Sequence, residues 1–474
     1  MLAKSVKLLL LGLSAGVVAG CSTPCGVPGS PCAPILSDSS TAPRPAPAAL
    51  PPRKAEPPPP AAETFAVAMP GVAGAGTPPD ATAAPDATPD RNGLPASQPI
   101  HMALLLPLKS ETLGPASDSL RAGFMAAWER DRDNIAVTVI ETGDVAQDVL
   151  ASYAAAAEQN DIVVGPLARS AVGAVAGSAL VNKPTIALNY PEGYGTPGSA
   201  PLPPQMLAMG LSIEEEARQA AHWASIDHPH GSALILTTNT PWQRRIAAAF
   251  AAQWQRYTLS SRIVELGTQN GYLSDPELVQ LRARIQADPP SLIFAALGAD
   301  QTRQLRNALV NVLPEMASAA QPANGLPPGS SDQVPGALTG AQAIAQANIL
   351  PIYGTSSLNP GNGSNSPTQE LDGVRLLDLP WQLQRDHPAV MVYPRPVASG
   401  ERRPGAADME RLYALGIDAY RVAREIARHP ASRFHLDGVT GRLTISFGLG
   451  ESSFERQEQP ALYQNGVAQA VSTP

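Results

Sequence analysis

Met102-Ala103-Leu104-Leu105-Leu106-Pro107-Leu108 is an unbroken apolar run that ends beside a proline. Such a run is typical of a strand buried on both faces of a parallel sheet. Similar runs recur along the chain, with segments of helical periodicity between them. The other predicted strands are Ala136–Thr142, Ile162–Leu167, Thr185–Tyr190, Ser232–Thr238, Ser291–Leu297, Ile349–Gly354 and Val374–Leu379. This alternation predicts an α/β fold in which parallel sheets are covered by helices.

Helix starts and ends can be read between these runs. Ser212 and Glu215 have the spacing of a capping box, which marks a helix start. Pro241 follows Thr240, a suitable N-cap, and marks another start. A long helix is predicted over about Met409–Ala427, where a His-Pro pair closes it.

The alternation comes in two blocks, and we therefore predict a two-lobed body over residues 99–470. Lobe 1 is predicted from about 99–209 and 356–435, and lobe 2 from about 210–355 and 436–465. A chain that crosses between two α/β lobes leaves a cleft bordered by the C-terminal ends of strands. The polar, Gly/Pro-rich stretch 317–346 is predicted to be a surface loop inserted into lobe 2.

Charge and cysteine content exclude two classes of protein. The net charge of −8 and the pI near 5.5 provide no electrostatic footprint for nucleic acid. The cysteines are Cys21, Cys25 and Cys32, and none lies in the predicted body, so a disulfide framework for the fold is excluded.

The N-terminus is typical of a lipoprotein signal peptide over residues 1–20. Two lysines precede an apolar run that is too short to span a bilayer, which needs about 20 apolar residues. The run ends in Val18-Ala19-Gly20-Cys21, which resembles a bacterial lipobox, so Cys21 is the predicted lipidation site. The alternative is an ordinary secretory signal followed by a chance cysteine. Ser22, where an Asp would favour the inner membrane, favours the outer membrane and a periplasm-facing anchor.

Residues 21–98 are predicted to be a disordered tether rich in Pro and Ala. Such a composition cannot bury enough apolar surface to offset the entropy of ordering. Proline favours extended polyproline II, so the tether would reach on the order of 100–200 Å. Cys25 and Cys32 either close a small loop within it or have no role.

No catalytic constellation is visible in the sequence, which favours a non-enzyme. It contains no nucleophile elbow, no phosphate-binding Gly-Lys-Ser/Thr loop and no zinc-type spacing. His228-Pro229-His230 is interpreted as an exposed turn rather than a metal site. We therefore predict neither a metal nor a cofactor.

Loops after the predicted strands are the candidates for lining the cleft. They contain Pro107, Leu108, Gly165, Pro166, Asn189, Tyr190, Thr238, Trp242, Tyr353, Thr355 and Ser356. Each residue type also has a structural interpretation: a Gly-Pro pair ends a strand, Asn and Tyr cap a strand end, and Trp in a first helical turn packs against a neighbour. Asp418 and Tyr420 are assigned to structure at the seam between the lobes. Because no acidic group can be paired with an N–H turn to hold an amino acid, we expect an empty or degenerate cleft.

Several segments together resemble the LppC lipoproteins, which activate penicillin-binding proteins. They are Ala103–Leu108, Ile162–Leu167, Thr185–Asn189, Gly210–Ala220 and Leu415–Tyr420. The segment Leu436–Ile445 is similar to the last crossover of type I periplasmic binding proteins.

The resemblance implies a two-lobed periplasmic-binding-protein-like body, outer-membrane anchoring and contact with a bifunctional penicillin-binding protein. Better-known members carry an additional helical-repeat domain where this chain has the Pro/Ala tether. The alternative is a lipid-anchored solute-binding protein that captures an amino acid or a similar small molecule.

Overall fold

The computed structural model describes residues 98–195, 198–309, 350–361, 369–396 and 405–472. The predicted signal peptide, Cys21, nearly all of the tether and the predicted loop at 317–346 lie outside these residues. No helix in the described ranges is long and apolar enough to cross a membrane.

The first sheet contains five parallel strands in the order β2-β1-β3-β4-β5. They are β1 (Ile100–Leu106), β2 (Ile135–Glu141), β3 (Ile162–Val164), β4 (Thr185–Ala187) and β5 (Met206–Ala208). The helices among them are α1 (Gly114–Arg130), α2 (Ala146–Gln159) and α3 (Arg169–Ala176). The central position of β1 explains its unbroken apolar run, since Met102 to Leu106 are fully buried.

The second sheet has the order β17-β16-β12-β11-β10-β6-β7, with β16 and β17 antiparallel. Its strands are β6 (Ala233–Thr237), β7 (Ser261–Glu265), β10 (Leu292–Ala295), β11 (Ile352–Gly354), β12 (Arg375–Asp378), β16 (Gln459–Gln464) and β17 (Val467–Ala470). A short hairpin is formed by β8 (Thr268–Gln269) and β9 (Tyr272–Leu273). The helices of this lobe are α4 (Ile213–Asp227), α5 (Pro241–Arg256), α6 (Asp275–Ala287) and α7 (Ala299–Leu309).

The remaining elements pack on the first lobe. They are the helices α8 (Pro380–Leu383), α9 (Pro388–Met391) and α10 (Ala406–Arg428), and an antiparallel sheet of β13 (Ser432–Asp437), β14 (Arg442–Phe447) and β15 (Ser453–Gln457). Apolar side chains of α10 and β14 share one buried cluster with β1 and β3.

Two glycines let α1 and α10 approach closely. A Cβ atom on Gly123 would lie 1.9 Å from the carbonyl oxygen of Tyr413, and one on Gly416 would lie 2.0 Å from that of Leu120. Both distances are far inside van der Waals contact, so only glycine permits this packing.

The α/β class and the two parallel sheets are confirmed, but the predicted lobe boundaries at 356 and 436 are wrong. Strand β12 pairs with β11 in the second sheet, so the chain stays in lobe 2 until about residue 378. Residues 432–457 then add their apolar side chains to the core of lobe 1. The three crossovers therefore lie at about 209–212, at Leu379 and at Glu458.

The predicted helix starts differ in how they are capped. The Ser212 hydroxyl accepts a hydrogen bond from the Glu215 N–H at 3.2 Å, as a capping box requires. The Glu215 carboxylate pairs with Arg218 instead of returning to the cap. Thr240 occupies the N-cap of α5, but its side chain makes no capping hydrogen bond.

Candidate ligand cleft and hinge cluster

The C-terminal ends of strands from both sheets lie beside the first crossover. In the first lobe, a Cβ atom on Gly210 would lie 3.0 Å from the Cα atom of Asn189, just after β4. In the second lobe, the Ser356 N–H, just after β11, donates to the Glu216 carboxylate near the start of α4 at 2.8 Å. One of the strand-end loops named from the sequence in each lobe thus lies beside the crossover.

Gly165 and Pro166 hold β3 against its neighbours. Gly165 has a φ of +122°, and a Cβ atom there would lie 2.1 Å from the Leu105 carbonyl oxygen. The Pro166 carbonyl oxygen accepts a hydrogen bond from the Leu188 N–H at 3.0 Å. The pair thus has a structural role in closing the end of the strand, and Pro107 is likewise buried.

Asn189 and Tyr190 form hydrogen bonds with each other and with the neighbouring loop. The Asn189 side-chain amide donates to the Leu167 carbonyl oxygen at 3.2 Å, and its oxygen accepts from the Tyr190 N–H at 2.9 Å. The Tyr190 ring stacks on Tyr194 with 5.1 Å between centroids, and burial raises the pKa of its hydroxyl. The capping interpretation accounts for these contacts.

On the second lobe, a chain of side-chain hydrogen bonds ties the strand-end loops together. The Thr238 hydroxyl donates to the Gln243 side-chain oxygen, and the Gln243 amide donates to Gln301 at 2.7 Å. Gln301 in turn donates to the Gly271 carbonyl oxygen at 3.1 Å. Trp242 is half-buried against the core between α4 and α5, as its packing interpretation expects.

Tyr353 is not a cleft residue, which corrects the sequence-based assignment. It is fully buried, its ring meets Trp223 edge-on, and its hydroxyl donates to the Asp227 carboxylate at 2.6 Å. Burial and the Asp227 carboxylate raise the pKa of this phenol. In a strand buried on both faces, the side chain of Tyr353 points into the helix layer rather than toward the strand end.

Thr355 is also withdrawn from solvent. It is fully buried, and its hydroxyl lies 2.8 Å from that of Ser357, which donates to the Leu297 carbonyl oxygen at 2.9 Å. Most of the polar groups proposed for the cleft therefore already have partners inside the protein. A solute would have to break these bonds to use them, and each unsatisfied buried group costs roughly 1–3 kcal/mol.

Beneath the crossovers lies a set of buried charges that we call the hinge cluster. It consists of Glu216, Asp378, Arg411, Arg456 and Glu458. Arg411 comes from α10 in lobe 1, and Asp378 ends β12 in lobe 2. The guanidinium group donates Nε to Oδ1 at 3.0 Å and Nη2 to Oδ2 at 2.7 Å. Charge and hydrogen bonding therefore join the lobes in a site without water access.

Arg411 and Asp378 make their remaining hydrogen bonds to neighbouring residues. Arg411 Nη2 also donates to the Ser356 and Asn359 carbonyl oxygens at 3.1 and 2.8 Å. The Asp378 carboxylate accepts from the Asn359 side-chain amide and from the Leu379 N–H, each at 2.8 Å. Although burial opposes the charged form of Arg411, Asp378 outweighs burial and raises the pKa of the guanidinium group.

The third crossover is held by Arg456, Glu458 and Gln219. Arg456 donates to the Gly210 carbonyl oxygen at 2.6 Å and to the Thr440 hydroxyl at 3.2 Å. Gln219 of α4 donates to the Arg456 carbonyl oxygen at 2.8 Å and accepts from the Glu458 N–H at 3.0 Å. The first and third crossovers are thereby fastened to one another.

Asp418 is structural, as its assignment from the sequence expects, but its partners lie within lobe 1 rather than at the seam between the lobes. It is fully buried and accepts hydrogen bonds from the Val439 N–H at 3.2 Å and from the Thr440 N–H and hydroxyl at 2.8 and 2.7 Å. These bonds fix the turn between β13 and β14 to α10. Tyr420 packs edge-on against Phe124 and donates its hydroxyl to the Asp131 carbonyl oxygen.

The hinge cluster was not identified from the sequence, although two of its members carry a signal. Glu216 shares a helix face with the buried Ala220, and Arg411 shares one with the buried Ala407 and Leu415. A charge within an apolar stripe indicates a buried ion pair. Within the described residues, no group of three or more His, Cys, Asp and Glu side chains could hold a metal ion.

These features define a class of protein: the fold is the two-lobed α/β architecture of the periplasmic-binding-protein type. A chain from Chromobacterium violaceum described as a "putative branched-chain amino acid ABC transporter" superposes with a TM-score of 0.54 and 29% identity, covering 77% of this chain and 100% of that one. The C-domain of LpoA (YraM) from Haemophilus influenzae, described as a regulator of PBP1A, superposes with a TM-score of 0.55 and 20% identity, covering 78% and 100%.

Within that class, the chain belongs to the LppC family, described as "LppC putative lipoprotein", whose model matches residues 75–466. The penicillin-binding protein activator LpoA of Aliivibrio fischeri is 26% identical over 390 residues, which cover 78% of this chain and 58% of the relative. That of Vibrio cholerae is 27% identical over 395 residues, covering 77% and 58%. The match thus spans less than two thirds of the length of these relatives.

Proposed function

We propose that this chain is a non-enzymatic regulator that binds and activates a bifunctional penicillin-binding protein, and so regulates peptidoglycan synthesis. The observation that carries the proposal is the LppC match, which covers the described body from its start to residue 466. Relatives that match over the same region are named as activators of penicillin-binding proteins. The polar groups of the strand-end loops are hydrogen-bonded within the protein. This supports a protein that acts by binding another protein rather than by capturing a solute.

We further propose that the chain is anchored in the outer membrane through Cys21 and faces the periplasm. The lipobox-like sequence before Cys21 and the serine after it support this placement. Several acyl chains on one residue contribute about 0.8 kcal/mol per buried CH₂, which suffices for stable anchoring. A Pro/Ala-rich tether would then carry the body toward a synthase.

Capture of an amino acid or a similar solute is the second candidate function. It is favoured by the match to the Chromobacterium violaceum chain, which is covered completely at 29% identity. Hydrogen bonds within the protein occupy Asn189, Thr238 and Thr355, which weighs against it.

The test is a pull-down from detergent-solubilised membranes with the tagged full chain, followed by a glycan-polymerisation assay on any synthase retained. Retention with faster polymerisation is the expected result. Absence of a retained synthase, together with an amino acid that raises the melting temperature, would replace the proposal with solute capture.

A matched pair of variants separates the two functions. Gly298→Trp adds a large ring to a strand-end loop of lobe 2, where the nearest atom to a new Cβ is the Gln301 side-chain oxygen at 4.0 Å. Ala252→Trp adds the same ring to the exposed surface of α5. A solute-binding protein would lose its ligand only in Gly298→Trp, whereas the activator is expected to retain its synthase in both variants.

A further inference from the structure

The hinge cluster contains more buried negative than positive charges. Its carboxylates are Glu216, Asp378 and Glu458, and its guanidinium groups are Arg411 and Arg456; none is more than 7% exposed. If all five were ionised, one negative charge would remain uncompensated among side chains that are almost fully buried. Burying an unpaired charge is costly enough that such a group takes up a proton instead.

Hydrogen bonding shows where the uncompensated charge lies. Asp378 receives two hydrogen bonds from Arg411, so this pair is closed. Glu216 receives the Ser356 N–H at 2.8 Å. The Oε2 atom of Glu458 is buried without a hydrogen-bond partner among the described residues, as is the Nη2 atom of Arg456. The excess charge thus falls on Glu216 and Glu458.

The surrounding charges do not remove the excess. Glu215 approaches the cluster from α4, but it is partly exposed and pairs with Arg218. Asp408 of α10 is exposed and pairs with Arg411 itself at 2.8 Å, so it adds negative charge beside the cluster. Burial, which outweighs the Ser356 hydrogen bonds and the smaller effect of the Arg411 charge, raises the pKa of Glu216 to about 7. Burial and the neighbouring Glu216 carboxylate raise the pKa of Glu458 well above its usual range.

A route to solvent lies on the far side of Glu458. This residue lines a groove of about 860 Å³ that is also bordered by the β13–β14 turn and by the end of β17. A proton can therefore exchange with water in the groove without unfolding of either lobe.

We propose that the hinge cluster is a proton-binding site, in which Glu216 and Glu458 share one proton that fastens the third crossover to α4. The proton comes from water and forms an O–H bond on one carboxylate of the pair; its return to water leaves both carboxylates charged. Their repulsion then opposes the contact that Gln219 makes between α4 and the crossover.

The test uses infrared spectroscopy of the full chain across pH 5 to 9, with Glu216→Gln, Glu458→Gln, the double variant of both and the control Glu215→Gln. The carbonyl band of a protonated, buried carboxyl group is expected in the wild type near pH 6 and is expected to be lost as the pH rises above about 7. Burial is unchanged in either single variant and keeps the other carboxyl group protonated, so only the double variant Glu216→Gln/Glu458→Gln is expected to lack this band, whereas Glu215→Gln retains it.

Absence of the band from the wild type at pH 6 would overturn the proposal, even if a variant does not fold. A stability that depends on Na⁺ or K⁺ at fixed pH, without the band, would assign a bound cation instead and overturn it as well. Persistence of the band in the folded double variant would locate the proton elsewhere.

Discussion

Arg411 and Asp378 lie in different lobes and form a doubly hydrogen-bonded ion pair from which water is excluded. The arginine belongs to a helix packed on the first sheet, and the aspartate ends a strand of the second sheet. The pair lies on the path by which the chain returns to lobe 1. Separation of the lobes at this point would expose two charges and break two further hydrogen bonds, those from Arg411 to the Ser356 and Asn359 carbonyl oxygens.

Removing one partner of this pair is expected to be costly. Arg411→Met leaves the buried Asp378 carboxylate without its cation and is expected to lower the free energy of unfolding by roughly 3–5 kcal/mol. Urea titration at neutral pH measures the loss. The control, Arg244→Met, breaks the exposed pair with Glu265 and is expected to leave the free energy of unfolding nearly unchanged, because solvent screens such a pair. Equal losses in the two variants would contradict the role of the interlobe pair.

The contact between α1 and α10 predicts that a single methyl group is destabilising. Gly416→Ala places a Cβ atom 2.0 Å from the Leu120 carbonyl oxygen, and separating the helices is expected to cost roughly 1–3 kcal/mol or more. Gly143→Ala is the matched control, because no atom lies within 4 Å of its new Cβ. Thermal unfolding of the two variants measures the difference, and similar melting temperatures would refute the packing argument.

The shared proton has a consequence for stability that can be measured separately. The pKa of Glu216 is about 7 in the folded protein and 4.5 for an ordinary glutamate, so the folded state binds more protons between these values. Its stabilising contribution is complete below about 4.5 and is lost as the pH rises through about 7. The melting temperature of the wild type is therefore expected to fall relative to Glu216→Gln over this window. A constant difference between the two proteins from pH 5 to 8 would be inconsistent with this prediction.

Because the polar groups of the strand-end loops are already hydrogen-bonded within the protein, we expect amino acids to have little effect on its thermal stability. A solute with a Kd one hundredth of its concentration would stabilise the folded state by about 2.7 kcal/mol. We expect no such shift when each of the common amino acids is added at millimolar concentration in a thermal-shift assay. An amino acid that raises the melting temperature by several degrees would show that the internal hydrogen bonds at Asn189 or Thr238 give way to a ligand.

Most strands buried on both faces could be located from the sequence because they form apolar runs, but the short buried strand β5 was missed. All eight predicted strands are present, although most are shorter than predicted. β7 was missed because it is an exposed edge strand with a largely polar sequence, Ser261–Glu265. β13 alternates between exposed and half-buried residues, and the segment around it was interpreted as a simple crossover. The wrong lobe boundaries followed from that interpretation, and from β12, whose sequence does not specify which sheet it joins.

The candidate site was harder to predict. A strand can be located from the sequence, but its sequence does not show which side chains near its C-terminal end face the cleft. Tyr353 was chosen for its position near the end of β11, yet it packs under α4. Glu216 and Arg411 were passed over because burial of a charge depends on partners that are distant in the sequence. Glu216 accepts its hydrogen bond from Ser356, 140 residues away, and Arg411 pairs with Asp378, 33 residues away. Only the packed structure shows those partners.

The late arrival of α10 and β16 has a consequence for the order of events during synthesis. When the ribosome has completed β5, the apolar face of α1, with Leu120 and Phe124, still lacks the helix that covers it. The second sheet likewise waits for β16 to cover the edge of β12. Such distant pairings fold slowly and leave apolar surface exposed to chaperones and proteases. The nascent chain is therefore expected to remain partly folded, and accessible to chaperones and proteases, until it has been synthesised to about residue 464.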